Sequence, residues 1–237
     1  MGMGKLIALE LRRIRLRPYH LAAGACGAAM LAFLYLMAAI PRMDPADGDT
    51  ALLASYDFLL GLTQLVFLAV FTVFAGVMSA RFVVEGYSGT QALLLFSYPV
   101  SRRKVLLVKL AVALLYPAAA MFLWGTAAQG VFFLTEALLP LCPDTLTAGT
   151  VLWSLCSLLC RSLLAGLLGL MAAGLGLWRR SIPTAIISAL LLSCLACQGL
   201  SALLPFRPAV GLALIAGAVP AAWALRCMIR QVDEMEV

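Results

Sequence analysis

Six long apolar runs dominate this sequence, and their length constrains the fold more than any other feature. They cover approximately residues 20–40, 56–79, 105–136, 149–177, 183–204 and 209–228. A helix needs about 20 apolar residues to cross the hydrocarbon core of a bilayer, so each run is long enough to span. The runs are continuous, whereas membrane strands alternate polar and apolar residues. The sequence therefore predicts an all-α, polytopic membrane protein with six transmembrane helices.

The low charge content supports the same prediction. Only 12% of the 237 residues are charged and 64% are hydrophobic, whereas about a quarter of a soluble domain is charged. So few charges cannot cover a water-facing surface, and most of this surface must face lipid. Little sequence remains outside the six runs, so we expect a single membrane domain over residues 1–237.

The positions of the lysines and arginines predict the orientation in the membrane. Most of the 17 lie in the N-terminal segment, in the connections after the second and fourth runs, and at the C-terminal end. Because cytoplasmic loops carry the excess of Lys and Arg, both termini are expected in the cytoplasm. Residues 1–19 are amphipathic and are predicted to lie on the inner leaflet. The net charge of +6 then reflects topology and anionic lipid, not nucleic acid.

The sequence lacks the residues that most membrane enzymes need. It has no GxxxxGK[ST] phosphate loop, and its one histidine is His20 at the membrane edge. Paired histidines for a metalloprotease, a serine with a base, and an acidic cluster within a run are all missing. We therefore expect no catalytic residues, no metal site and no enzymatic activity in this chain.

The connection between the second and third runs is polar and structured. It reads EGYSGTQALLLFSYPVSRRKVLLVK and begins at Glu85. Gly86 and Gly89 interrupt a helix, and Pro99 ends the next one because the residue before a proline disfavours the α conformation. The sequence predicts a short amphipathic helix at the cytoplasmic boundary, within an insert over residues 80–104. The residues that it presents toward water are Glu85, Tyr87 and Gln91.

This segment resembles the permease subunits of ABC transporters of the second exporter type (ABC-2). In that family an acidic residue is followed by Gly-Thr, apolar residues, then Ser, Pro, an apolar residue, Ser, Arg and later Lys. The matching positions here are Glu85, Gly89, Thr90, Leu94, Leu95, Ser97, Pro99, Val100, Ser101, Arg102 and Lys109. The motif resemblance covers residues 81–109, and the six-span layout with a basic N-terminal segment is similar to the family over the whole chain.

The resemblance implies a permease subunit of an ATP-driven exporter in the bacterial cytoplasmic membrane. A separate ABC ATPase subunit, in two copies, would bind ATP and magnesium and dock on the short coupling helix after span two. A second permease copy, identical or related, would complete the pathway, and this chain would need no cofactor of its own. The residues implied in docking and coupling are Glu85, Gly86, Tyr87, Gly89, Thr90, Gln91, Pro99, Ser101 and Arg102.

A non-transporting membrane scaffold or assembly factor is the alternative function. The insert would then be an amphipathic boundary loop that anchors to lipid. This alternative predicts that the chain resides stably in the membrane without an ATPase partner.

One arginine lies inside the fourth run. An arginine near the bilayer centre costs about 2.5–3.5 kcal/mol on insertion scales, so Arg161 should face a helix interface. Its helix face is lined by small residues that allow close approach, namely Ser157, Ala165 and Gly169. Glu136 and Asp57 are the candidate counter-ions from other spans. Snorkelling or structural pairing is one role, and direct contact with substrate is the other.

Three glutamines are predicted at a similar depth in their spans. These residues are Gln64, Gln129 and Gln198. With Arg161 they form a polar layer in the predicted outer half of the bundle. They either line a cavity that opens outward or make hydrogen bonds between helices, worth about 0.6 kcal/mol each.

Overall fold

The computed structural model describes residues 17–43, 53, 55–84, 102–138, 144, 146–204 and 206–234. Within these ranges the chain forms six long helices and no strand. The helices are α1 (Arg17–Met43), α2 (Tyr56–Ser79), α3 (Arg102–Leu138), α4 (Ala148–Arg179), α5 (Ile182–Ser201) and α6 (Ala209–Glu234). Each is long and apolar enough to cross a membrane. The all-α class and the six spans are thus confirmed, while the predicted coupling helix and most of the N-terminal segment lie outside the described residues.

Two helix ends differ in detail from the apolar runs. After α2 the chain continues as one π-helical segment, Ala80–Val84, so the spanning helix extends beyond the predicted boundary at residue 79. In contrast, α5 ends at Ser201, before the predicted boundary at residue 204. The next residues form tight turns in which the N–H of Leu203 donates to the carbonyl of Leu200. Hydropathy alone cannot detect such a turn, because its residues are still apolar.

Helices α2 and α4 lie side by side at the centre of the bundle. Each contacts α3 and α5, while α1 packs on α2 and α3, and α6 packs mainly on α4. In their most apolar windows α2 and α4 are 61% buried, against 28% for α1 and α5 and 11% for α6. The outer helices therefore expose large apolar side chains such as Leu195, Ile215 and Val219, which suit contact with lipid tails.

Close contacts between small residues tie α2, α4 and α5 together. Gly169 of α4 faces Ala75 of α2, Gly76 of α2 faces Ala189 of α5, and Gly176 of α4 faces Ala185 of α5. A Cβ added at any of these glycines would overlap the facing alanine. Small residues at helix interfaces let backbones approach closely in membranes, so these contacts fix how the central helices are placed.

The helices alternate in direction, which gives the bundle two distinct ends. At one end, called here the distal end, the start of α2 meets the end of α3 through a hydrogen bond from Tyr56 to Glu136. At the other, called the terminal end, Tyr19 near the start of α1 packs against Phe82 after α2. Helix α1 begins at this end, at Arg17, and α6 ends there, at Glu234.

The residue after α4 has a backbone conformation that favours glycine. Arg180 has φ 48° and ψ 37°, and the N–H of Ser181 bonds back to the carbonyl of Gly176 at 3.1 Å. The left-handed conformation costs a non-glycine residue roughly 1–2 kcal/mol. We expect Arg180→Gly to raise the free energy of unfolding by about 0.5–1 kcal/mol, measured by denaturant titration in detergent.

The neighbouring arginine supplies a matched control for this substitution. Arg179→Gly removes the same charge from the last helical position of α4. There glycine is expected to lower stability by about 1 kcal/mol. If both substitutions destabilise the protein equally, Arg180 does not have the left-handed conformation.

Candidate functional site

The residues implied in ATPase docking fall at the edge of the described structure. Those from Glu85 to Ser101 lie outside the described residues, and Arg102 is the first residue of α3. The structure places residues 80–84 of the predicted insert in the π-helical segment and residues 102–104 in α3, so the name insert is used below for residues 85–101 between them. The insert therefore connects two helices that pack against each other within the bundle.

Arg161 lies in the interface between α4 and α2. Its side chain is only 3% exposed. Its Nη1 donates two hydrogen bonds, to the carbonyl oxygen of Gly61 and to Oε1 of Gln64, each at 2.9 Å. The guanidinium thus reaches across to α2 instead of pointing toward lipid.

A directed series of hydrogen bonds continues from Arg161 across three helices. A guanidinium only donates, so the amide atom of Gln64 that faces Arg161 must be its oxygen. Nε2 of Gln64 then donates to the carbonyl oxygen of Ser154 at 3.0 Å and to its Oγ at 3.1 Å. Oγ of Ser154 donates in turn to Oε1 of Gln129 at 2.9 Å. We call these four buried residues the polar network.

The polar network borders a cleft of about 340 Å³ at the distal end. Its buried part includes Gln64, Ser154 and Arg161, together with Ser157 on the same face of α4. Its walls are mostly apolar and come from the start of α2, the start of α4 and the turn between α5 and α6. A charged and polar floor beneath apolar walls is the usual composition of a small-molecule site.

An ion pair lies at the exposed rim of the cleft. Nη2 of Arg207 is 2.7 Å from Oδ2 of Asp57, and both side chains are partly exposed. The guanidinium of Arg207 also lies 5.7 Å from the ring centre of Trp153. Trp153 is eight residues before Arg161 on α4, so Arg161 lies about 12 Å deeper than Trp153 along the helix axis.

Neither candidate counter-ion from the sequence is paired with Arg161. Asp57 pairs with Arg207 at the rim, and Glu136 accepts a hydrogen bond from Tyr56 at 2.7 Å. Both carboxylates take part in other contacts at the distal end. The partners of Arg161 are instead a backbone carbonyl and a neutral amide.

The three glutamines do not share one location. Gln64 and Gln129 are 2% and 5% exposed and belong to the polar network. Gln198 has an exposed side chain on α5 and does not join them. The predicted polar layer therefore contains Arg161 and two of the glutamines.

Sequence reasoning missed several residues of this site. Ser154 links two glutamines, and it precedes Ser157 by three residues, so extending the small-residue face of α4 backward would have found it. Arg207 and Trp153 had no such signal, because only the packing of α2, α4 and the α5–α6 turn brings them to the cleft.

The cleft floor offers hydroxyl, amide and guanidinium groups, without a carboxylate or histidine beside Ser154 or Ser157. Across the described ranges, no group of three or more His, Cys, Asp or Glu side chains could hold a metal ion.

Comparison with known proteins gives two similar sequences. Over 187 residues the chain is 26% identical to the uncharacterized protein YcbO of Bacillus subtilis. The aligned region covers 79% of this chain and 80% of YcbO. Over 84 residues it is 33% identical to an uncharacterized protein of Mycoplasma pneumoniae. That aligned region covers 35% of this chain and 11% of the Mycoplasma protein. No protein-family model and no solved structure matches. Function must therefore be argued from the residues themselves.

Proposed function

We propose that this chain is the membrane-spanning permease subunit of an ATP-driven exporter that resembles the ABC-2 type. A separate ATPase subunit, in two copies, docks on the insert between α2 and α3 and supplies the energy of ATP hydrolysis. Two permease copies, identical or related, form the pathway in the bacterial cytoplasmic membrane. Both termini lie in the cytoplasm, so the distal end with its cleft faces outward.

The observation that carries this proposal is the course of α2. This helix borders the cleft with Gly61 and Gln64, and it continues through Val84 to the start of the insert. The distance from Gly61 to Val84 along the axis is about 35 Å. A force on the insert therefore acts on one end of the helix whose other end forms a wall and part of the floor of the cleft.

Movement of α2 relative to α4 would change the cleft directly. The hydrogen bonds of Arg161 to Gly61 and Gln64, and of Gln64 to Ser154, all cross this interface. Packed helices slide by small shear motions during domain closure. A shift of α2 toward or away from α4 would break or re-form these hydrogen bonds. It would thereby change how accessible the guanidinium of Arg161 is from the cleft.

The docking assignment makes a direct prediction for the insert. Purified from its native membrane in mild detergent, the chain is expected to bring an ATPase with it. Glu85→Lys reverses the acidic charge at the start of the insert, and Gly89→Pro changes its backbone. Each is expected to lower ATPase recovery or to separate ATP turnover from export, while the protein remains in the membrane. Quantitative mass spectrometry and ATP hydrolysis provide the measurements.

A charge reversal at the distal end provides the matched control. Asp144→Lys changes an acidic residue between α3 and α4, and it should leave ATPase recovery unchanged. Wild-type recovery and coupling in both insert variants would show that docking occurs elsewhere. An absence of any ATPase with the unmodified chain would instead favour the scaffold alternative.

A further inference from the structure

The guanidinium of Arg161 has unused hydrogen-bond donors in a buried position. An arginine offers five N–H donors, and here both hydrogen bonds come from Nη1. Its Nε is buried without a hydrogen-bond partner among the described residues. Buried polar groups are nearly always satisfied by protein, water or ligand. The guanidinium also lines the cleft, so a ligand there can satisfy donors that no described residue satisfies.

The positive charge of Arg161 also has no carboxylate beside it in the described ranges. Asp57 is engaged at the rim by Arg207, and Glu136 is bonded to Tyr56. The two acceptors that Arg161 does have, Gly61 and Gln64, are neutral. Buried charges in proteins are ordinarily paired, so an anion is the ligand that best satisfies this position.

The walls of the cleft restrict what kind of anion fits. Phe58, Leu60 and Leu204 supply apolar surface above the polar floor, and Trp153 lies nearer the rim. The volume of about 340 Å³ is at the lower end of the range for small-molecule sites. It accommodates an oxyanion with a short length of apolar chain, and a longer chain would extend through the opening at the rim.

We propose that this cleft binds an amphiphilic anion, with its carboxylate or phosphate at Arg161 and its apolar part along the cleft walls. If the proposed function holds, the same class of molecule is the cargo of the exporter. Binding itself does not depend on that function. The anion has two sources, a free amphiphile or the head group of an anionic lipid, and the experiment separates them.

Trp153 provides a built-in probe of occupancy. The purified chain in neutral detergent is titrated with a dibrominated fatty acid, and Trp fluorescence quenching is followed. The other three tryptophans, Trp124, Trp178 and Trp223, lie on exposed surfaces, so quenching in Trp153→Phe measures partition into the micelle. The difference between the two titrations is expected to be saturable. No saturable difference with either a brominated fatty acid or a brominated anionic phospholipid would overturn the proposal.

Two variants test whether Arg161 holds the anion. Arg161→Gln is expected to weaken saturable quenching by at least about tenfold, the usual effect of losing a hydrogen bond to a charged group. Gln64→Glu places a carboxylate beside the guanidinium and should abolish binding in a folded protein. Arg179→Gln, an exposed arginine at the terminal end of the same helix, is the matched control and should bind normally. Unchanged binding in folded Arg161→Gln or Gln64→Glu would overturn the proposal.

The source of the anion is separated in lipid nanodiscs. In discs of neutral lipid, saturable quenching by added brominated fatty acid supports a free amphiphile. Quenching only when the discs contain brominated phosphatidylglycerol supports a lipid head group. In the complex with its ATPase, the bound anion should raise ATP hydrolysis, and Arg161→Gln should remove that increase. Binding without stimulation would overturn only the assignment of the anion as cargo. Loss of the ATPase partner would leave the result on anion binding intact.

Discussion

Replacing Gly169 by alanine is expected to lower the free energy of unfolding by about 1–3 kcal/mol, the usual cost of overpacking a buried contact. The added Cβ would overlap the side chain of Ala75, which is fully buried on α2. Helix α2 has little room to retreat, because the adjacent Gly76 contacts Ala189 of α5. Denaturant titration of the purified protein in detergent, followed by circular dichroism, measures the change.

A second glycine provides the control for this experiment. Gly130 lies inside α3, and a Cβ added there meets no heavy atom within 4 Å. Gly130→Ala is therefore expected to raise stability by about 0.5–1 kcal/mol through backbone entropy. Adding Ala75→Gly to Gly169→Ala should restore most of the lost stability. If Gly169→Ala instead behaves like Gly130→Ala, the close contact of α2 with α4 is wrong.

The sequence predicted the helices well because their signal is local. A run of apolar residues by itself indicates that a segment can cross a bilayer. The run at residues 56–79 coincides with α2. The ends were less predictable. The turns after Ser201 are as apolar as α5, and Ala80–Val84 continues the helix although it contains the charged Arg81, so backbone hydrogen bonding, not hydropathy, decides where each helix stops.

The direction of a side chain around its helix was not predictable from the sequence. Gln129 and Gln198 are predicted at similar depth, yet Gln129 is buried beside Ser154 and Gln198 is exposed on α5. The difference arises because α5 packs on α2 and α4 through small residues such as Ala185 and Ala189. Such contacts are a property of helix pairs, and a single sequence does not state which helices pair.

The same limit explains the partners of Arg161. The sequence predicts opposite charge beside Arg161, from Glu136 or Asp57. The packing of α2 against α4 brings Gly61 and Gln64 to the guanidinium instead. A backbone carbonyl carries no sequence signal at all, so this contact could be found only in three dimensions.

The second large effect is expected at Gln64. Gln64→Leu removes the amide that accepts from Arg161 and donates to Ser154. A hydrogen bond to a charged group contributes about 1.5–3 kcal/mol, so the substitution should lower the free energy of unfolding by about 2–3 kcal/mol. Gln198→Leu makes the same chemical change at an exposed position and should alter stability by less than about 0.5 kcal/mol.

The loss at Gln64 should depend on the charge of Arg161. In an Arg161→Leu background the same Gln64→Leu change removes only neutral hydrogen bonds, so its expected cost falls to about 1 kcal/mol. The double-mutant cycle would then give a coupling of roughly 1–2 kcal/mol between the two residues. Additive losses would contradict the direct hydrogen bond between them.

The double variant Gln64→Leu/Arg161→Leu also separates stability from function. Replacing buried polar and charged groups by apolar residues of similar size is often neutral or stabilising. We expect this variant to unfold at least as cooperatively as the original protein but to show no saturable quenching of Trp153. In that case the buried charge does not stabilise the fold. The protein is then less stable than its apolar variant because the site is built to bind a ligand, a trade-off that is common at functional sites. A double variant that fails to fold, beside a single Arg161→Gln variant that folds and binds normally, would assign the polar network to structure instead.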